Sequence, residues 1–442
     1  MTTLSEPTRR RGSGVFYGWW IVIVGVLLMA TIFGTIINSF SLFIAPVMAD
    51  LEGLTVARFT LAYSVITLMA VPFSPVVGNL LTRVDARHVV AIGVLLAALA
   101  NVVLSMAKSI GWIYGAAVLQ GLAFTFATTI PIATMITNWF VEKRGTALGL
   151  ATAGSGLGSL VFVPLIDFYL IPTFGWRGTY LALAAIQVVL LIPLSLLVLR
   201  STPEQKGLAP LGAATVPATT DDAAHEAAPR PGLSQKQAYA TPAFWVLGAA
   251  LIASGISVNG MISNLKPLLT ALGAEGEIIA IVLSTVGLFV MLGKLLTGVL
   301  FDKTALIAAI GLVSAANAVQ FVFMLSPHSA LNGVLFTLLH GFGATLVTVA
   351  PAYLAARLFG ERDYSAVYAS VSVFAMLGAA AAAPFGTLFY GTATTSDAPH
   401  ATMLVWAWLV MGLIGSALYV LAIVLTPAAA IGRASRGARP VV

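Results

Sequence analysis

Apolar runs of about 20 residues or more recur twelve times along the chain, at 17–45, 58–81, 88–107, 110–137, 146–170, 177–199, 243–270, 276–301, 304–325, 328–356, 364–390 and 401–426. Each can cross a ~30 Å hydrocarbon core as a helix rising 1.5 Å per residue. A helix satisfies its own backbone there, where no water can. The pattern therefore predicts twelve membrane-spanning helices. Between the sixth and seventh runs, 200–240 is rich in Pro, Ala, Thr and scattered charge and carries no usable apolar period. It reads as a mobile linker. The chain then divides into a tail over 1–16, a six-helix bundle over 17–199, the linker over 200–240, a second six-helix bundle over 241–426 and a tail over 427–442. The predicted fold class is an all-α membrane protein built from two pseudo-symmetric bundles.

Composition removes the soluble alternative. Hydrophobic residues make up 59% of the 442 and charged residues only 9%, too few charges to solvate a surface. The chain has no cysteine, so disulfide and thiol chemistry have no basis. Residues 1–14 are polar and the first apolar run is long and uncut, which reads as a first span rather than a cleaved leader. The net charge of +6 could suggest nucleic acid, but its placement speaks for topology. With the N-terminus in the cytoplasm, 17 of the 22 basic residues fall in cytoplasmic segments. Only Arg58, Lys108 and Arg177 fall outside, and Lys266 and Lys294 lie within spans. Both termini are thus expected inside, in an inner membrane whose anionic headgroups the basic excess also favours. Tyr17, Trp19 and Trp20 sit where an aromatic belt would.

The halves repeat. Gly78-Asn-Leu-Leu-Thr82-Arg83 returns 220 residues later as Gly298-Val-Leu-Phe-Asp302-Lys303, and Pro131 returns as Pro351 at the same offset. Trp139-Phe140-Val-Glu142-Lys143-Arg144 returns, slightly shifted, as Leu358-Phe359-Gly-Glu361-Arg362-Asp363. Two similar bundles around a midplane site are the plan of a secondary transporter. No phosphate-binding G-x-x-x-x-G-K-[ST] loop is present, and no nucleophile constellation or metal spacing points to an enzyme or a cofactor.

The candidate chemistry centres on Lys294. It lies eight residues before Asp302, about 12 Å inside the boundary that Asp302 and Lys303 mark. An ammonium near the midplane costs at least ~2.5–3.5 kcal/mol, so a functional role is the default reading. The alternative is snorkelling, but a four-carbon stem covers only about half that distance.

The repeated loop motif, Gly78 to Arg83-Val-Asp85-Ala-Arg87 and Gly298 to Asp302-Lys303, resembles that of the major facilitator superfamily. There the glycine permits close helix approach and the charges form a cytoplasmic latch that breaks in each cycle. The family's first copy usually carries an aspartate where this chain has Thr82, so the first latch is expected to be weaker or to borrow Asp85. The stretch from Trp139 through Glu142, Lys143, Arg144 and Gly145 to Gly149, Ala153 and Gly154 resembles the signature joining helices 4 and 5 in the monocarboxylate transporter group. Phe16-Tyr17-Gly18-Trp19-Trp20 resembles that group's other conserved stretch, and the bacterial oxalate:formate antiporters share the layout. In that group a cation four residues before the helix 8 glycine binds the substrate carboxylate, and Lys294 is in register with it. The family residue is usually arginine; lysine lacks its bidentate fork. Proton-coupled members also carry an aspartate where Val290 stands and a lysine where Asn38 stands, so their proton relay does not transfer. With no second cation in 364–390, one cation argues for one carboxylate.

Asn38 and Asn259, like Gln120 and His340, occupy nearly equivalent positions in the two halves, on helices that line the cavity in the resembled fold. They are candidate pocket residues, and interhelical bonding is the competing reading for each. His340 could also titrate, with an ordinary pKa near ~6.5. Tyr63 and Tyr368 are further candidates. The resulting expectation is a carrier, read as a monomer in membrane lipid, that moves a small organic anion by alternating access. A proton or a counter-anion would be the coupling partner: a lone ammonium is disfavoured in a dry cavity and a bound carboxylate restores it. Efflux of amphipathic compounds, or a sensor built on a carrier fold, are the rival readings.

Overall fold

The computed structural model describes residues 15–51, 54, 56–213, 232–263, 265–390 and 398–426. The terminal tails up to 14 and from 427, the middle of the linker over 214–231, Asn264 and the side chain of Lys266 lie outside the described residues. The long helices are α1 (Gly18–Ile32, continued as a π-helical turn over Phe33–Asn38), α2 (Val56–Leu80), α3 (Ala86–Ser105), α4 (Ile110–Trp139), α5 (Arg144–Pro164) and α6 (Ile171–Ile186). After the linker come α7 (Pro242–Ser263), α8 (Gly276–Lys303), α9 (Leu306–Met324), α10 (Ala330–Gly343, extended through Thr345–Thr348 and Ala350–Phe359), α11 (Tyr364–Tyr390) and α12 (Ala398–Val424).

Among the described residues, 11 helical runs are long and apolar enough to cross a membrane. One of them, Arg144–Val198, has 55 residues, about 82 Å if straight and far more than one crossing needs. It breaks at Gly175, whose φ of 63° and ψ of 175° suit a residue without Cβ. Division there, near the start of α6, splits the run into two crossings and makes the set consistent with twelve spans. Phe168, Val189, Leu197 and Val424 are exposed on the outer surface. Water would penalise that surface, whereas lipid covers it without cost.

Within the first half, α1 packs on α5, α3 on α4 and α6, and α2 on α4; within the second, α7 packs on α11 and α12, and α10 on α8 and α9. Buried amides tie each half together. Asn101 donates to Gln187 Oε1 (3.1 Å) and Gln187 donates to Thr35 Oγ1 (3.1 Å), joining α3 and α1 to the helical turn after α6. Such groups must pair internally where no water is available.

The halves meet along two crossings, α5 against α8 and α2 against α11. Both depend on missing side chains. A Cβ on Gly149 would fall on the Lys294 carbonyl and 3.0 Å from Gly298 Cα, and one on Gly78 would fall on Ala369 and the Ser365 carbonyl. Gly149→Val is therefore expected to push α5 off α8 at an overpacking cost of about 1–3 kcal/mol. A lower melting temperature of the ligand-free protein in detergent checks this, and an unchanged one would mean that the crossing is slack.

Within the 200–240 segment read as a mobile linker, both described ends are bonded to the bundles. Leu211 accepts from Val141 and Glu142 N–H (2.9 and 3.0 Å) and donates to the Trp139 carbonyl (2.9 Å). Leu233 donates to the Phe359 carbonyl (2.8 Å), and Ser234 opens a short helix, Gln235–Tyr239, with a capping box. The reason is local: the α4–α5 and α10–α11 turns present unpaired backbone groups, and the linker ends supply the partners.

Candidate functional site

The site begins with the glycine before the lysine. A Cβ on Gly293 would strike the Gly341 carbonyl of α10, so that face of α8 is pressed against α10. The next residue is rotated by about 100°, and Lys294 points across the interface to α5. Its ammonium donates to Ser155 Oγ (2.7 Å) and reaches the Thr152 carbonyl (3.5 Å). Ser155 Oγ donates in turn to the Thr152 carbonyl (3.0 Å). The side chain is therefore bonded to the opposite bundle rather than extended to the surface, and Lys294 is only 5% exposed. Asn38, at the end of the π-helical turn that closes α1, donates to the Ser155 carbonyl (3.0 Å) and holds the same residue from behind.

Lys294 and Thr152 form part of the wall of a cavity of about 190 Å³. The other walls are Met29 and Phe33 of α1, Thr129 and Ile130 of α4, Asn259 of α7, Val347, Thr348 and Pro351 of α10, and Tyr368, Ser372, Ala375, Met376 and Ala379 of α11. Lys294 is the one charged side chain among these described lining residues. The repeated prolines explain why α4 and α10 contribute as they do. Proline has no N–H for the carbonyl four residues earlier, and α4 breaks at Thr128 (φ −117°, ψ −122°), just ahead of Pro131. In α10 the interruption at Val349 precedes Pro351. Both breaks fall at the cavity, where interrupted helices are tolerated because they line a cavity rather than face lipid.

About 12 Å further along α8, Asp302 closes the interface. Its two carboxylate oxygens accept from Gly145 N–H and Thr146 N–H, each at 2.7 Å. The carboxylate thus caps the N-terminus of α5, where the helix dipole adds to the attraction. Beside it Arg144, 6% exposed, pairs with Glu361 and donates to the carbonyls of Phe140 (2.9 Å) and Thr137 (3.3 Å). Both contacts join one half of the chain to the other at the end bearing the α8–α9 and α4–α5 turns, called the latch face below.

A sequence model described as the Major Facilitator Superfamily matches residues 16–383. The chain belongs to the major facilitator superfamily. Its relatives within it include monocarboxylate transporter 13 of Rattus norvegicus, 32% identical over 189 residues that span 41% of this chain and 43% of that protein. This chain therefore covers less than half the length of that relative. The oxalate:formate antiporter of Oxalobacter formigenes is 27% identical over 408 residues, 89% of this chain and 92% of the antiporter. Among solved structures, a superfamily proton:xylose symporter bound to 6-bromo-6-deoxy-D-glucose aligns with a TM-score of 0.64 at 14% identity, covering 91% of this chain and 94% of that one. At that identity the likeness speaks for the fold. The protein is thus a member of this superfamily with 11 helical runs long and apolar enough to cross a membrane among the described residues, and it is related to the monocarboxylate transporters and the oxalate:formate antiporter.

Against the superfamily pattern, the structure gathers some of the expected residues and scatters others. Lys294 and Asn259 line the cavity, and Asn38 stands one hydrogen bond behind it. His340 is turned the other way: its Nδ1 meets Gln320 Oε1 at 2.9 Å, and Gln320 donates to Asn317 Oδ1 at 2.6 Å. An imidazole on α10 has a satisfying amide on α9, so it serves interhelical bonding instead of the cavity wall. Gln120 is buried beside Thr35, Phe40 and Tyr180 in a separate small pocket. Tyr63 is partly exposed and packs edge-on against Phe40.

The latch needs correction on its first copy. Thr82 Oγ1 donates back to Asn79 O (2.7 Å), since a hydroxyl cannot reach across as the Asp302 carboxylate does. Asp85 caps α3 through Arg87 N–H (3.1 Å) and accepts from Ser201 and Gln205, tying the first half to the start of the linker rather than to the second half. Arg83, Glu142 and Lys303 are exposed. Glu361, the repeat counterpart of Glu142, makes the ion pair with Arg144 instead. Sequence reasoning did not single out Ser155, Thr152 or Glu361 as site residues. The small-residue stripe of α5 and the second copy of the loop motif were the available signals.

Proposed function

We propose that this transporter carries a small organic anion, a monocarboxylate, by alternating access. The observation that carries the reading is one buried ammonium, Lys294, on the wall of a cavity that both bundles line. A carboxylate there can displace the Ser155 hydroxyl from the ammonium and gain a charge-assisted hydrogen bond in a dry environment. The names of the monocarboxylate transporter and oxalate:formate antiporter relatives support the substrate class.

The loop charges put the latch face and both termini in the cytoplasm of an inner membrane. With Asp302 and Arg144 engaged, the described arrangement is then closed to the cytoplasm. Because the ammonium and the carboxylate favour each other, proton and anion bind together, giving electroneutral symport; exchange of two anions is the rival coupling. Uptake into proteoliposomes decides. Symport predicts alkalinisation outside that matches substrate entry and needs no anion within. Exchange predicts uptake only into vesicles preloaded with a carboxylate and no proton movement. No carboxylate flux in either format overturns the function.

A further inference from the structure

We propose that the transported acid has a compact apolar body about the size of a benzene ring, and that Ala379 and Met376 of α11 set its upper size. The inference rests on the monocarboxylate reading and concerns what lies behind the carboxylate.

Three observations bear on it. First, the cavity of about 190 Å³ lies just above the ~150 Å³ of an apolar site that takes benzene and below the ~300 Å³ at which drug-sized pockets begin. Second, most of the wall away from Lys294 is carbon, supplied by Met29, Phe33, Ile130, Val347 and Met376 with two alanines of α11, while Thr129, Asn259 and Tyr368 add polar groups. Third, three of the lining hydroxyls have their donors engaged on their own helices. Thr152 donates to Leu148 O (2.7 Å), Thr348 to Ala344 O (2.9 Å) and Ser372 to Tyr368 O (2.9 Å), each on its own helix. They cannot also donate to a second carboxylate or to the oxygens of a polyhydroxy acid, and an unmet acceptor buried there is costly. The wall suits carbon, and its two flexible methionines adapt to shape. A small hydrophilic acid would leave the apolar wall wet, and a dicarboxylate would leave one charge without a cation.

The test is affinity of the full-length protein, by thermal stabilisation and by competition for uptake, across acetate, butyrate, benzoate and 2-naphthoate, with succinate and gluconate alongside. Affinity is expected to climb about fourfold per added methylene, the equivalent of ~0.8 kcal/mol, to peak near benzoate and to collapse at naphthoate. Succinate and gluconate are expected to bind at least about fivefold more weakly than benzoate, a missing partner costing ~1 kcal/mol or more. Ala379→Leu should move the peak toward butyrate. Met376→Ala should move it toward naphthoate, and serves if the leucine variant does not fold. A flat series, succinate equal to benzoate, or a peak that neither variant moves overturns this inference while leaving a carboxylate carrier in place. Failure of every acid to bind removes the monocarboxylate reading itself.

Discussion

Lys294→Gln is expected to abolish carboxylate-dependent stabilisation and transport while leaving the empty protein folded. The amide can still donate to Ser155 Oγ, which Lys294 now reaches at 2.7 Å, so the α5–α8 contact survives. What disappears is the only charge on the described cavity wall. Removing one partner of a buried ion pair costs about 2–5 kcal/mol, at least ~30-fold in affinity. The empty variant should melt no lower than the parent, because the empty parent buries an amino group that must either hold an uncompensated charge or give up its proton, a burden the amide does not carry. The check is a pair of melting curves, with and without benzoate or lactate. Equal ligand shifts in parent and variant would make Lys294 structural. Full transport by Lys294→Met would move efflux of amphipathic compounds to the front.

Asp302→Asn is expected to loosen the latch face. Each carboxylate oxygen accepts one N–H of α5, both at 2.7 Å. An asparagine offers one carbonyl, and its NH₂ opposes the second N–H. Losing a hydrogen bond to a charged group costs about 1–3 kcal/mol, which shifts a two-state balance roughly 5- to 150-fold. Because the chain has no cysteine, Ala379→Cys provides a single reporter on the cavity wall. Its alkylation by a membrane-impermeant maleimide added at the latch face should speed up at least fivefold in the Asp302→Asn background, with rates from the opposite face slowed. Unchanged rates would reduce Asp302 to a helix cap. Since Thr82 bonds back onto its own helix, Thr82→Val should have little effect in the same assay, and the contrast separates a one-sided latch from a symmetric one.

The position of Lys294 was legible because the cost of a charge in hydrocarbon depends on depth, and depth follows from counting residues to Asp302. The repeat was legible because proline and glycine act through the backbone wherever they stand. Pro131 and Pro351 marked the two helix breaks, and Gly78 and Gly298 the two crossings. For His340 and Gln120 the sequence left cavity-lining and interhelical bonding open, for an equally physical reason. A polar side chain on a buried helix must find a partner, and helix periodicity does not say whether a neighbouring helix or a cavity supplies it. The neighbouring amide, Gln320, is on a different helix. The role of Asp85 was open in the same way, as its partners Ser201 and Gln205 lie beyond α6.

By itself the sequence determined the membrane setting, the all-helical class, the two-fold repeat and the one midplane cation. These follow from the lengths of apolar runs, the hydrogen bonding of a backbone in lipid and the price of burying charge, all of which act within a single segment. The tertiary structure alone decided that Lys294 bonds Ser155, that Glu361 rather than Glu142 pairs with Arg144, and that among the described residues Asp302 of the second loop motif reaches the other bundle while Thr82 of the first does not. Those outcomes depend on which helix faces which and on distances of a few ångströms between residues far apart in the chain. They are properties of packing, which a pattern of polar and apolar positions does not encode.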